Sequence, residues 1–149
     1  DQPVVAAGGI ADGRGVAASL ALGAGGVLLG TRFVAWRESM APPMYKEALL
    51  RGGADDTTLT DAFTGLYARA LRTVFAREYE ESGAPVLPSL LQSNAAEDIF
   101  RPAAKDGKGD YYPMWAGQSV GLVDDLPGAA EIVAALVTEA TQALDALCH

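Results

Sequence analysis

The chain has 149 residues and a mass of 15.4 kDa, with 50% apolar and 20% charged residues, a globular composition of about one domain's size. Lys and Arg total 11 and Asp and Glu total 19, giving 11 − 19 = −8 and a pI near 4.5. That balance argues against a nucleic-acid backbone or an anionic membrane surface as partner, since both require clustered cations.

Asp1-Gln2-Pro3 carries no initiator Met and no basic stretch leading into an apolar one, so it does not read as a secretory signal. It reads as a chain that begins within something longer. Residues 3–8, PVVAAG, predict a short strand, because small and β-branched residues run between Pro3 and the pair Gly8-Gly9. Asp12 follows in a polar turn and is suited to cap a helix over 13–22, where Val16, Ala17, Leu20 and Ala21 share one face. Gly23 stops that helix and Gly25-Gly26 reset the chain. Val27-Leu28-Leu29 then form a second apolar run, closed by Gly30-Thr31, within an expected strand over 26–30. Strand, helix and strand in about thirty residues make a βαβ unit whose two strands should be parallel and buried.

The next hundred residues differ. Trp36 to Leu50 predicts a short helix interrupted at Pro42-Pro43, and 52–60 a polar loop. Residues 66–81 place Leu66, Tyr67, Ala70, Leu71, Val74 and Phe75 on one face, predicting an amphipathic helix of about four turns. Arg69, Arg72 and Arg77 then fall on its solvated side. From Gly83 to Tyr112 Pro, Gly and charge recur, and the pattern assigns no particular element there. Asp124-Asp125 and Pro127 predict the start of a last helix carrying Ile132, Val133, Leu136, Val137, Ala140, Leu144 and Leu147. Tyr111, Tyr112 and Trp115 either anchor a loop to the core or stack on a ligand. Cys148 is the single cysteine and cannot close an intrachain disulfide, which suits a reducing, cytoplasmic setting. It has no activating neighbour in sequence. His149, the one histidine, reads as a terminal tail. No run approaches the roughly 20 apolar residues of a membrane span, and no His, Cys and carboxylate set has metal-ligand spacing.

Chemistry concentrates in 7–33. Two glycine turns, Gly8-Gly9 and Gly30-Thr31, each follow a predicted parallel strand. Glycine lets backbone amides approach an anion, and the loops after the last two strands of (β/α)₈ barrels commonly hold a phosphate. The Thr31 hydroxyl is able to donate to a phosphate oxygen. On spacing alone, both glycine pairs are equally readable as tight turns.

The blocks AGGI-DGRG and LGTRF resemble the loops after the seventh and eighth strands of the nitronate monooxygenase (2-nitropropane dioxygenase) family. Later blocks are similar to other parts of that family: ESMAPPMYKEALL at 38–50, AFTG at 62–65, and WAGQSVGL at 115–122 leading into the last helix, so the resemblance covers nearly the whole chain. The front blocks are shared with FMN-dependent enoyl-ACP reductases; the later ones favour nitronate monooxygenase. The family commonly has Arg after FTG, where this chain has Leu66-Tyr67.

The resemblance implies an α/β fold: the last two βα units of a (β/α)₈ TIM barrel, with a mostly helical insertion before the closing helix. Barrel strands and their helix would span 1–36, the insertion 37–122 and the closing helix 123–149. The implied cofactor is FMN, its phosphate held by Gly9, with Gly8 beside it, and by Leu28, Leu29, Gly30 and Thr31. Gln118 would face the flavin or substrate. The implied reaction is oxidation of alkyl nitronates by O₂. The family's catalytic base is a His upstream of all residues present, so none is expected here, and the remaining strands would come from the rest of the protein or a partner chain. The alternatives are an enoyl-ACP reductase, or a non-catalytic piece without flavin.

Overall fold

The computed structural model describes residues 2–147; Cys148 and His149 lie outside the described residues. β1 (Val5–Ala7) and β2 (Gly26–Leu28) pair in parallel, with Val5 opposite Gly26 and Ala7 opposite Leu28. α1 (Gly13–Ala21) joins them, and its cap is the expected one: the Asp12 carboxylate accepts from the Gly15 amide at 2.8 Å. The strands are shorter than their apolar runs. They are also largely wet: Val4 is 66%, Val5 56% and Leu28 60% exposed. The expected burial is not met: Ala6, Gly26 and Val27 are half-buried and Val5, Ala7 and Leu28 exposed, because a two-stranded sheet with α1 against β2 leaves its remaining surface uncovered.

α2 (Pro43–Arg51) begins at Pro43 rather than being interrupted there, since proline at the first helical position loses no bond the helix would make. The segment 52–60 is not a loop throughout. A 3-10 turn at Ala54–Asp56 leads into β3 (Thr57–Thr60), whose β-branched residues suit a strand. β3 pairs antiparallel with β4 (Ala68–Leu71), Thr57 opposite Leu71 and Thr60 opposite Ala68. The helix expected over 66–81 is therefore corrected: its first part is β4, and the helix is α3 (Val74–Ser82), capped by the Thr73 hydroxyl accepting from the Ala76 amide at 3.2 Å. Arg69 accordingly sits on a strand, donating to the Thr57 hydroxyl at 3.1 Å. The uncalled stretch 83–112 holds α4 (Leu91–Ala95) and α5 (Glu97–Asp106).

α6 (Ala129–Leu147) starts beyond the expected point. Asp125 is not its cap. The Gly128 amide donates to the Glu131 carboxylate, and the Ala129 amide to Glu38 at 3.2 Å. Asp125 instead pairs with Arg32 at 2.9 Å.

Buried side chains gather in two clusters. One holds Tyr45, Leu49, Leu71, Met114, Val120 and Val123. The other is aromatic: Phe63, 1% exposed, lies 5.6 Å from the Phe75 ring, 5.9 Å from Phe100 and 5.3 Å from Trp115. Tyr112 meets Tyr45 edge-on at 6.4 Å. Tyr112 and Trp115 therefore anchor their loop to the core, as the first of the two readings has it.

α1 and α6 touch closely at Gly13, whose amide donates to the Glu139 carboxylate at 2.8 Å. A Cβ there would stand 2.2 Å from the Glu139 Cβ and 2.5 Å from the Ala140 nitrogen. Gly13→Ala gains at most about 1 kcal/mol of helix propensity. Overpacking against backbone costs about 1–3 kcal/mol, so the variant is expected to be less stable by urea titration of the full-length protein. The 149-residue chain alone is expected to melt without a single cooperative transition in far-UV circular dichroism. Each ~100 Å² of apolar surface left wet forgoes about 2.5 kcal/mol, against a net domain stability of only ~5–15 kcal/mol.

Candidate functional site

The parallel register sets the site. Because Ala7 is level with Leu28, Gly8-Gly9 and Leu29-Gly30 leave the same end of the pair. Gly8 and Gly9 have φ of +91° and +73°, a region that side chains rarely enter, which turns the chain sharply after β1. A 3-10 turn at Thr31–Phe33 follows Gly30. Among the described residues, the Gly8, Gly9, Thr31 and Arg32 amides donate to no oxygen of the chain. At Gly8, Gly9 and Gly30 the space a Cβ would occupy is open to 4 Å.

Helix termini are the usual alternative for an anion, because their first amides are unpaired. Here the α1 terminus is taken. Asp12 accepts from Gly15 and Glu139 from Gly13, so two carboxylates occupy it. Any anion at this end of the pair is left to the two glycine loops. The Arg32 side chain is held through Nη2 by other parts of the chain, while its buried Nε has no partner among the described residues. It is 6% exposed and donates from Nη2 to the Ala35 and Asp125 carbonyls, both at 3.1 Å, and to the Asp125 carboxylate. Its guanidinium thereby fixes the Thr31 turn against the segment leading to α6. The residues present fit a phosphate bound through backbone amides.

Thr31 is 8% exposed, and its Oγ1 accepts from the Gly117 amide at 2.9 Å. The hydroxyl hydrogen remains able to donate. Gln118 opens the 3-10 turn Gln118–Leu122 and is exposed. Sequence reading put Thr31 and Gln118 in one site from distant blocks, and the Thr31–Gly117 bond makes the segments neighbours. Leu28 is the last residue of β2, and Leu29 continues it, half-buried. Sequence reading missed Arg32 and Tyr45, for which it gave no role. The one local signal for Arg32 was a guanidinium set between Thr31 and Phe33 after an apolar strand. Tyr45 is buried, and its hydroxyl donates to the Trp115 carbonyl. Burial pushes its ionisation well above the ordinary tyrosine value, and Tyr112 adds to the rise, so it stays a neutral donor.

The family model described as "Nitronate monooxygenase" matches residues 1–139. A "Probable nitronate monooxygenase" of Staphylococcus haemolyticus is 40% identical over 117 residues, 78% of this chain and 33% of that protein. Among solved structures, a nitroalkane oxidase from Streptomyces ansochromogenes superposes with a TM-score of 0.89 at 40% identity, covering 99% of this chain and 42% of that one. FabK from Thermotoga maritima gives 0.82 at 39%, covering 99% and 47%. The chain thus spans between a third and a half of the length of these relatives.

Asp125→Asn removes the charge partner of Arg32 but keeps the Ala35 and residue-125 carbonyls as acceptors. Hydrogen bonds to charged groups contribute about 1.5–3 kcal/mol, but Asp125 is more than half exposed, so solvent screening brings the expected loss below that range, to about 1 kcal/mol. Urea titration of the full-length protein at low and high salt checks it, the difference shrinking as salt screens the pair.

Proposed function

The chain belongs to the nitronate monooxygenase family, and from that premise we propose that the whole protein oxidises alkyl nitronates with O₂ through bound FMN. In this reading the chain forms the last two βα units of a (β/α)₈ barrel, residues 1–36. Residues 37–122 are a helical insertion on the substrate side, and 123–149 the closing helix. The single observation that carries the reading is the pair of glycine loops leaving one end of the parallel strands with their amides unused. FMN, when bound, supplies the redox chemistry.

This chain's residues bind and orient. The amides of Gly8, Gly9 and Thr31 hold the phosphate, Gly30 leaves it room, and the Thr31 hydroxyl donates to it. Leu28 and Leu29 line that wall. Gln118 offers a carboxamide towards the flavin or substrate. The base that takes the substrate proton belongs to the part of the protein outside this chain.

The likeness to FabK of Thermotoga maritima supports a second reading, an FMN-dependent enoyl-ACP reductase, which would also consume NAD(P)H. The full-length protein separates these. Nitronate-dependent O₂ uptake without NAD(P)H is expected, NAD(P)H oxidation driven by an enoyl thioester favours the reductase, and a colourless protein that takes up no flavin defeats both.

Gly30→Val tests the site itself. Gly30 has φ −87° and ψ −70°, which L residues tolerate, and no neighbour within 4 Å of the added Cβ. The fold should therefore survive while the phosphate meets a side chain. FMN affinity is expected to fall by on the order of tenfold or more, equivalent to about 1.4 kcal/mol. Fluorescence titration with FMN reads it, and unchanged retention removes Gly30 from the site.

A further inference from the structure

Residues 114–118 form a strap whose main chain is held from three sides. Along one edge it extends the β3–β4 sheet. The Leu71 amide donates to the Met114 carbonyl at 2.8 Å, the Ala116 amide to the Arg69 carbonyl at 3.2 Å, and Ala70 bridges Trp115. From α2, the buried Tyr45 hydroxyl donates to the Trp115 carbonyl. From the loop after β2, Thr31 Oγ1 accepts from the Gly117 amide at 2.9 Å. The next residue is Gln118, exposed and at the head of a 3-10 turn.

The sheet edge and Tyr45 are fixtures of the core. The Thr31 contact differs in kind, because Thr31 also belongs to the glycine-loop site. A hydroxyl has one hydrogen to give and two lone pairs to receive. Here one lone pair receives Gly117, and the hydrogen is left for an acceptor beside the loops. Donation to an anion pulls the proton outward and lengthens the hydroxyl bond, leaving its electrons on the oxygen. The oxygen then carries more negative charge and accepts more strongly from the Gly117 amide. The two hydrogen bonds therefore reinforce each other.

We propose that Tyr45 and Thr31 are the positioning residues of the Gln118 strap, and that the Thr31 hydroxyl couples its order to phosphate occupancy of the glycine loops. The inference rests on those loops being the phosphate site. Tyr45 supplies a constant anchor, neutral throughout the working pH range. Thr31 supplies the conditional one. An empty site leaves the Gly117 end of the strap held by a single neutral bond, and a phosphate tightens it, presenting Gln118 only when cofactor is loaded. The two loops and the strap come from sequence blocks more than eighty residues apart, so no local turn accounts for the link.

The test is hydrogen–deuterium exchange at the 114–118 amides of the full-length protein, read residue by residue. It compares the free state with saturating FMN and with riboflavin, which lacks the phosphate. In wild type, FMN is expected to slow the Gly117 amide on the order of tenfold, and riboflavin to leave it unchanged. Thr31→Ser keeps the hydroxyl and should keep the effect. Thr31→Val should lose it even at saturating FMN. Tyr45→Phe keeps the ring packing and should raise exchange at the strap in both states. FMN that binds without slowing Gly117, equal slowing by riboflavin, equal slowing in Thr31→Val, or unaltered exchange in Tyr45→Phe each overturns the assignment. If Thr31→Val does not fold, the FMN against riboflavin comparison in wild type still decides. Failure of wild type to bind FMN at all overturns the site reading and the coupling with it, whereas tight FMN binding with an indifferent Gly117 overturns the coupling alone.

Discussion

A buried guanidinium has to be met by oxygen, since desolvating an unpaired charge costs several kcal/mol. Arg32 is met by the Ala35 carbonyl in its own turn and by the carbonyl and carboxylate of Asp125. Much else follows from that arrangement. It holds the turn carrying Thr31 at the end of β2. It also brings the chain at 125 back beside that turn, just before α6. With the start of α6 so placed, Arg37 pairs with Glu131 at 3.2 Å and Glu38 meets the Ala129 amide. α6 then runs along α1 and delivers Glu139 to the Gly13 amide. Removing the guanidinium would leave the approach to α6 tied to the segment after the Thr31 turn only further along, by the Arg37 amide donating to the Pro127 carbonyl at 2.9 Å and by the Glu38 and Glu131 contacts.

The βαβ unit was legible because its signals are local. Pro3, Gly8, Asp12, Gly23 and Gly30 punctuate it, and each acts within a few residues of the boundary it sets. The segment 37–122 was legible only in part. Leu66, Ala70, Leu71, Val74 and Phe75 keep helical spacing, yet Ala68–Leu71 are a strand. Pairing with Thr57–Thr60 on one side and with the 114–116 segment on the other outweighs the local period. Neither partner can be seen from the window itself. The end of the chain shows the same limit: Asp125 has the composition of a cap, but its carboxylate is drawn to an arginine ninety-three residues earlier.

The site divides along the same line. Gly8, Gly9, Gly30 and Thr31 follow from glycine turns after strands, an argument confined to thirty residues. Gln118 entered by resemblance, and its segment's contact with Thr31 spans 86 residues. Arg32 and Tyr45 escaped because burial, not residue type, makes them organisers. A tyrosine on an amphipathic helix looks the same in sequence whether its hydroxyl is in water or against the Trp115 carbonyl.

The amides at Gly8, Gly9 and Thr31 bear on how such a protein diversifies. Main-chain donors are present whatever the side chains, so they constrain the sequence only where a Cβ would obstruct or where φ is positive. Two glycines and one hydroxyl bear most of that constraint. Side chains elsewhere can therefore change while the main-chain donors of the two glycine loops stay as they are.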